Sequence, residues 1–185
     1  MDYTRFYKLL FQPIEERIGH VDDATLMAII GFDCGGPLSL CTVGHGRDRF
    51  VTYVSCELAV REEQHPGDVG RYEVMITCDD EGWAREVLSA VGRMSMESVL
   101  GHGHTVDIAP VVGPDCPVQG LVIEEFARVP IDARDYGILR FHGVTRPELE
   151  FAMSCGADEL LERLGVAGIY PRTSVHRSES FATSA

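Results

Sequence analysis

Two histidines one residue apart, with an aspartate three positions further on, form the most suggestive run in this chain: Gly101-His102-Gly103-His104-Thr105-Val106-Asp107. Imidazole and carboxylate groups are ligands of zinc and similar ions, so His102, His104 and Asp107 are candidate metal ligands. A binuclear hydrolase would read His-x-His-x-Asp-His, whereas here the aspartate comes one residue later and no third histidine closes the motif. A metal hydrolase built on this run would have to recruit Cys78 or Glu125 as well. A glycine-flanked turn leading into a strand over Val106–Ile108 explains the same residues without a metal.

Other chemical signatures are incomplete. Gly44-His45-Gly46 could cradle a phosphate, but no P-loop lysine follows, and the chain contains no G-x-G-x-x-G. Adjacent carboxylates occur at Asp22-Asp23, Glu62-Glu63, Glu124-Glu125 and Asp158-Glu159. General acid–base work needs two carboxylates facing one substrate, and most of these pairs sit where turns or helix starts explain them. Glu124 and Glu125 lie inside a predicted strand, where alternation lets one of them face inward. There is no G-x-S-x-G elbow. The six cysteines, at positions 34, 41, 56, 78, 116 and 155, form no C-x-x-C pair and read as mostly buried thiols. No catalytic set assembles, so neither enzymatic activity, a metal nor a cofactor is expected. His45, Arg47, His102, His104, Glu124 and Glu125 remain as candidate contacts for a partner.

The elements that must position these groups can be read from hydrophobic periodicity. Tyr3–Ile18 reads as helix through Phe6, Leu9, Leu10 and Ile14, with Pro13 either kinking it or starting a second one. Strand-like runs follow at Leu26–Ile30, Leu38–Val43, Phe50–Leu58 and Arg71–Thr77, separated by glycine-rich turns. The stripe Trp83, Val87, Leu88, Val91 and Met94 predicts an amphipathic helix over about 82–98. Strands near Gln119–Arg128 and Tyr136–Val144 come next. Thr145-Arg146-Pro147-Glu148 then reads as a capping box opening a short helix, with another over Ala157–Leu164. The order predicts an α+β fold: a single mixed, largely antiparallel central sheet flanked by helices. One domain over 1–173 is expected, with a loose tail over 174–185.

Sixteen basic residues stand against 29 acidic ones, a net charge of −13. That balance argues against direct nucleic-acid binding and suits a basic protein partner. The apolar runs are too short to span a bilayer, and the first residues lack a secretory pattern. A cytoplasmic location is expected.

The ordered segments also carry a family resemblance. Leu38-Ser39-Leu40-Cys41-Thr42-Val43-Gly44 resembles the strand with a T-x-G ending of bacterial suppressor-of-fused (SUFU) domains, and Tyr53-Val54-Ser55-Cys56-Glu57-Leu58 their next strand. Trp83–Leu88 is similar to the segment that opens the family's helix, and Gly103-His104-Thr105-Val106 to its Gly-His-Thr-Ile turn. Ile138–Val144, Pro147-Glu148-Leu149-Glu150 and Leu160–Leu164 resemble its strand, Glu-Leu helix and Leu-rich helix, and Ser174–Arg177 its terminal basic element. The resemblance implies a mixed α/β fold and protein binding. Animal members hold a transcription factor by adding its peptide strand to their sheet, and many bacterial members are similar to immunity proteins or antitoxins opposing nuclease toxins. The expectation is therefore a SUFU-type binder of a basic toxin. A regulatory peptide-binding module, or a His-dependent metal hydrolase, stands as the alternative. Two departures from the family are the lack of room for a second, closing domain and His45 where a methionine is usual.

Overall fold

The computed structural model describes residues 2–22, 30–44 and 49–177. Two helices open the chain, α1 (Tyr3–Leu10) and α2 (Gln12–Arg17). The Asp2 carboxylate caps α1 by accepting from the Arg5 N–H at 3.2 Å. Pro13 occupies the first turn of α2, where its missing N–H costs nothing. Of the two outcomes open at Pro13, the structure has the new helix.

A short turn of helix at Phe32–Cys34 precedes β1 (Leu40–Val43), β2 (Val51–Ser55) and β3 (Arg71–Cys78). Helix α3 (Glu81–Ser95) starts at Asp80, whose carboxylate accepts from the Trp83 N–H at 2.8 Å. Next come β4 (Thr105–Asp107), α4 (Ala109–Val112), β5 (Val118–Ile131) and β6 (Arg134–Thr145). Helices α5 (Arg146–Cys155) and α6 (Ala157–Val166) follow, separated by Gly156 at φ 104°. The expected capping box forms, with Glu148 Oε2 accepting from the Thr145 N–H at 2.8 Å. The strand expected over Leu26–Ile30 falls, apart from Ile30, outside the described residues, as do His45 and Arg47.

The strands make one sheet in the order β1-β2-β3-β6-β5-β4. Neighbours are antiparallel except β3 and β6, which run parallel with Ile76 opposite Phe141. The fold is thus α+β with a mixed, mostly antiparallel sheet, as expected. β5 and β6 are joined through Asp132 and Ala133, both at positive φ (48° and 64°), the backbone of a two-residue type I′ hairpin.

Alternation along the strands decides what lies on each face. Tyr72, Val74, Ile76, Leu121, Ile123, Leu139 and Phe141 point to one side and pack under Trp83, Val87, Leu88 and Val91 of α3. On the other side two helix pairs share the sheet. Phe6 and Leu10 of α1, Phe11 between the helices and Ile14 of α2 cover Val54, Met75 and Ile138, whereas Leu149, Ala152, Leu160, Leu161 and Leu164 of α5 and α6 cover Val122 and Val144. Between the pairs the same face carries polar side chains.

After α6 the chain returns across the end of the sheet. The Thr173 N–H donates to the Thr77 carbonyl at 2.8 Å, and the Gly143 N–H donates to Thr173 Oγ1 at 2.9 Å. Ser174 Oγ and the Val175 N–H donate to Asp79 at 2.7 and 2.9 Å. The tail expected to be loose from Ser174 is therefore held down as far as Arg177. Val175 is buried, and the carboxylates of Asp79 and Glu148 supply acceptors that the Ser- and Arg-rich composition did not announce. Residues 178–185 lie outside the described residues.

Candidate functional site

The polar gap between the helix pairs is built from β5, β6 and the returning strap. Glu124 of β5 lies directly opposite Arg140 of β6, with His142 diagonal to it on the same face. Tyr170, on the strap, closes over them. One Glu124 oxygen lies 3.1 Å from His142 Nε2, and the Tyr170 hydroxyl is 3.1 and 3.2 Å from the two carboxylate oxygens. Arg140 Nη1 donates to the Tyr170 oxygen at 3.2 Å and stands 3.7 Å from Glu124. His142, 3 % exposed, is stacked at 4.9 Å against the Tyr170 ring.

These contacts set the charges. Burial pushes the His142 imidazole below its ordinary value and Arg140 adds to that, while the Glu124 hydrogen bond offsets only part. Burial pushes Glu124 up, but the His142 hydrogen bond and the His142 and Arg140 charges outweigh it and hold the carboxyl below its ordinary range. Tyr170 is pushed up, by burial first and then by the Glu124 charge. The cluster is a carboxylate anchored by hydrogen bonds with His142 and Tyr170, with the Arg140 guanidinium 3.7 Å away.

Two clefts open on either side of Glu124 and Tyr170. One, of about 350 Å³, runs toward α6 and is lined by His102, Glu124, Asp158, Leu161 and Glu162. The other, of about 600 Å³, runs toward α2 and is lined by Arg17, Glu125, Phe126, Arg140 and Arg172. His102 joins the first cleft by accepting the Glu125 N–H on Nδ1 at 3.4 Å, with Nε2 3.2 Å from Asp158. Glu125 pairs with Arg128 at 3.1 Å. Both carboxylates of this pair are part-buried, and a β-bulge shifts the register just after them, between Glu125 and Ala127.

The suspected metal run is taken apart by the fold. His104 and Asp107 line a different cleft from His102, with Met94, Leu100 and Met153. Asp107 is held two-pronged by Arg146 at 2.8 and 3.1 Å, and this hydrogen bonding keeps its carboxyl below the usual range. Cys78 is buried, its thiol donates to the Asp80 carbonyl at 3.2 Å, and burial pushes it up to about 12. Among the described residues no group of three or more His, Cys, Asp or Glu side chains is gathered as a metal site.

Residues 36–178 match the family described as Suppressor of fused protein (SUFU). This chain belongs to the SUFU family. Its fold matches the Sufu–Fu complex crystal structure with a TM-score of 0.69 at 15 % identity, covering 96 % of this chain and 91 % of that one. It matches the crystal structure of Drosophila Suppressor of Fused with a TM-score of 0.70 at 16 % identity, over 95 % of this chain and 50 % of that one. No curated protein sequence matches it. At such identities the likeness is one of fold. The chain is a SUFU-type protein-binding domain, and among its described residues no helix is long and apolar enough to cross a membrane.

Sequence reasoning picked out His102, Glu124 and Glu125 at this site but passed over Arg140, His142 and Tyr170. An arginine and a histidine alternating within an otherwise apolar strand, Ile138 to Val144, were the signal. Two polar side chains on one face of a central strand need partners there.

Proposed function

We propose that this SUFU domain is an immunity protein or antitoxin that sequesters a basic cytosolic toxin by direct binding. The observation that carries this reading is the cleft beside α6, where Glu124, Asp158 and Glu162 surround an apolar wall made by Leu161. A lysine or arginine side chain suits that lining, with its aliphatic stem on Leu161 and its charge among the carboxylates. The net charge of −13 draws a basic surface toward it over a longer range. A nuclease toxin, whose substrate groove is basic, fits both features.

The experiment is capture of partners from lysate of the source by the tagged chain, at about 0.05 and about 0.5 M salt, read by mass spectrometry. One basic toxin, released at high salt, is the expected catch. The double variant Asp158→Lys with Glu162→Lys changes two exposed side chains and should slow association about tenfold or more. A complex indifferent to both salt and charge reversal would overturn the reading.

One observation favours a second reading, a regulatory module that takes up a peptide strand. β4 pairs with β5 only over Gly120–Val122, so beyond Ile123 the outer edge of β5 carries no strand among the described residues. Such an edge is suited to strand addition. Recovery of a regulator instead of a toxin in the same capture would select this reading.

A further inference from the structure

The two ends of the sheet are finished differently. At one end β1 is covered by the segment before it, which bridges Val21 to Val43 and donates the Asp22 N–H to the Thr42 carbonyl at 2.8 Å. At the other end stands β4. Its bonds to β5 alternate: the His104 carbonyl accepts from the Ile123 N–H at 3.0 Å, and the Ile108 N–H donates to the Gln119 carbonyl at 2.9 Å, with Val106 opposite Leu121 between them. The N–H and C=O of Thr105 and of Asp107 therefore point away from β5. These backbone groups have no partner among the described residues.

A groove of about 620 Å³ runs along this edge. Met94 and Leu100 wall it on the α3 face of the sheet, and Ala152 and Met153 on the α5 face. Met153 is 72 % exposed. Unpaired edge backbone between two apolar walls is a template for another strand. Among the described residues lining the groove, Asp107 alone is ionisable apart from His104, and Arg146 already holds it. Neither a basic nor an acidic partner finds an unanswered charge here, and a copy of the same surface meets no repulsion at the contact.

We propose that a second copy of this chain fills the groove, the two β4 strands pairing antiparallel about a two-fold axis at Val106. In that register Thr105 of each copy lies opposite Asp107 of the other, and the outward groups of one strand satisfy those of its mate. Val106 is buried toward α3, so the Thr105 and Asp107 side chains share the α5 face. Asp107 Oδ1 accepts from Arg146 and from the Ala109 N–H, whereas Oδ2 accepts from Arg146 alone. Oδ2 thus has a lone pair for the Thr105 hydroxyl of the other copy. The two-fold keeps both α5 helices on one face of the joined sheet, where each covers the other's Met153. None of the groove's residues lines the acidic cleft beside α6, so the pairing does not depend on the toxin reading.

Sedimentation equilibrium of the full chain, from about 5 to about 500 μM, tests it. The shared edge is short, so a Kd on the order of 10–100 μM is expected. Each copy carries a net charge of −13, and screening of that repulsion should tighten the dimer between about 0.05 and about 0.5 M salt, opposite to the response expected for toxin capture. Thr105→Pro removes an outward N–H and spares the bonds to β5, and Met153→Glu places a charge at an exposed position. Each should weaken the dimer about tenfold or more, with far-ultraviolet circular dichroism confirming the fold. If the proline is not tolerated, Met153→Glu decides. A monomer at every concentration and salt, a dimer loosened by salt, or a dimer indifferent to either folded variant would overturn the pairing.

Discussion

Arg177 grips both oxygens of Glu148, at 2.5 and 2.7 Å, although Glu148 is fully buried and already caps the start of α5. One carboxylate therefore fixes both a helix start and the last described residue of the chain. Removing one partner of a buried pair leaves an uncompensated charge, so Arg177→Met should cost about 3–5 kcal/mol in urea unfolding. The double variant with Glu148→Gln should lose less than the two single changes summed. A loss under about 1 kcal/mol for Arg177→Met would show that the strap is energetically idle.

Glu73 is fully buried on β3 and accepts four hydrogen bonds, from the Tyr7 hydroxyl at 2.9 Å, the Ser55 hydroxyl, and the Leu58 and Ala59 N–H groups at 3.2 and 2.9 Å. An amide has only one acceptor oxygen, so Glu73→Gln leaves a backbone N–H facing an NH₂ group. The expected loss is about 1–3 kcal/mol. Burial raises the Glu73 carboxyl above its ordinary 4.5 despite these donors. Its contribution is then complete below pH 4.5 and declines as pH rises through the raised value. The gap between wild type and Glu73→Gln should be widest in acid and narrow with rising pH; parallel stability curves would refute the raised titration.

For the cleft cluster the sign is reversed. Glu124 and His142 both sit below their ordinary values of 4.5 and 6.5. The unfolded chain therefore takes up protons first, and stability falls as pH drops below 6.5 for His142 and below 4.5 for Glu124. His142→Gln should flatten the first part of this decline. Thermal melts from pH 7 to pH 5 that overlay for the two proteins would sink the assignment.

Ala133 holds φ 64° in the β5–β6 turn, a region that costs a side chain roughly 1 kcal/mol. Ala133→Gly should raise stability by about 0.5–1 kcal/mol, the turn itself being the one a glycine prefers. Denaturant midpoints measure it, and a lower midpoint would mean that the Ala133 methyl is needed.

What the sequence reveals depends on how local its cause is. The break at Pro13, the Thr145 cap and the stripe on α3 depend on neighbours within a few positions, and all are legible. Glu73 is not, because a glutamate in a strand looks solvated until Tyr7, Ser55 and the turn after β2 are known to surround it. His102 and His104 look like one site but are assigned to separate clefts, because Gly103 at φ 81° turns the chain between them. His142 and Tyr170 are far apart in the chain, and only the strap brings them together. The parallel pairing of β3 and β6 was equally hidden, since no local signal specifies a partner that distant.

That parallel pair also dictates when the protein can exist. Ile76 and Phe141 are 65 positions apart, and everything between them must be made before the middle of the sheet can close. Until β6 arrives, the strands already synthesised present an apolar edge with nothing to pair against, a hazard for aggregation while the chain is still on the ribosome. The strap that completes both clefts emerges later still. If the clefts hold the partner as proposed, binding waits until synthesis has passed Arg177, and an incomplete chain does not compete with the finished one.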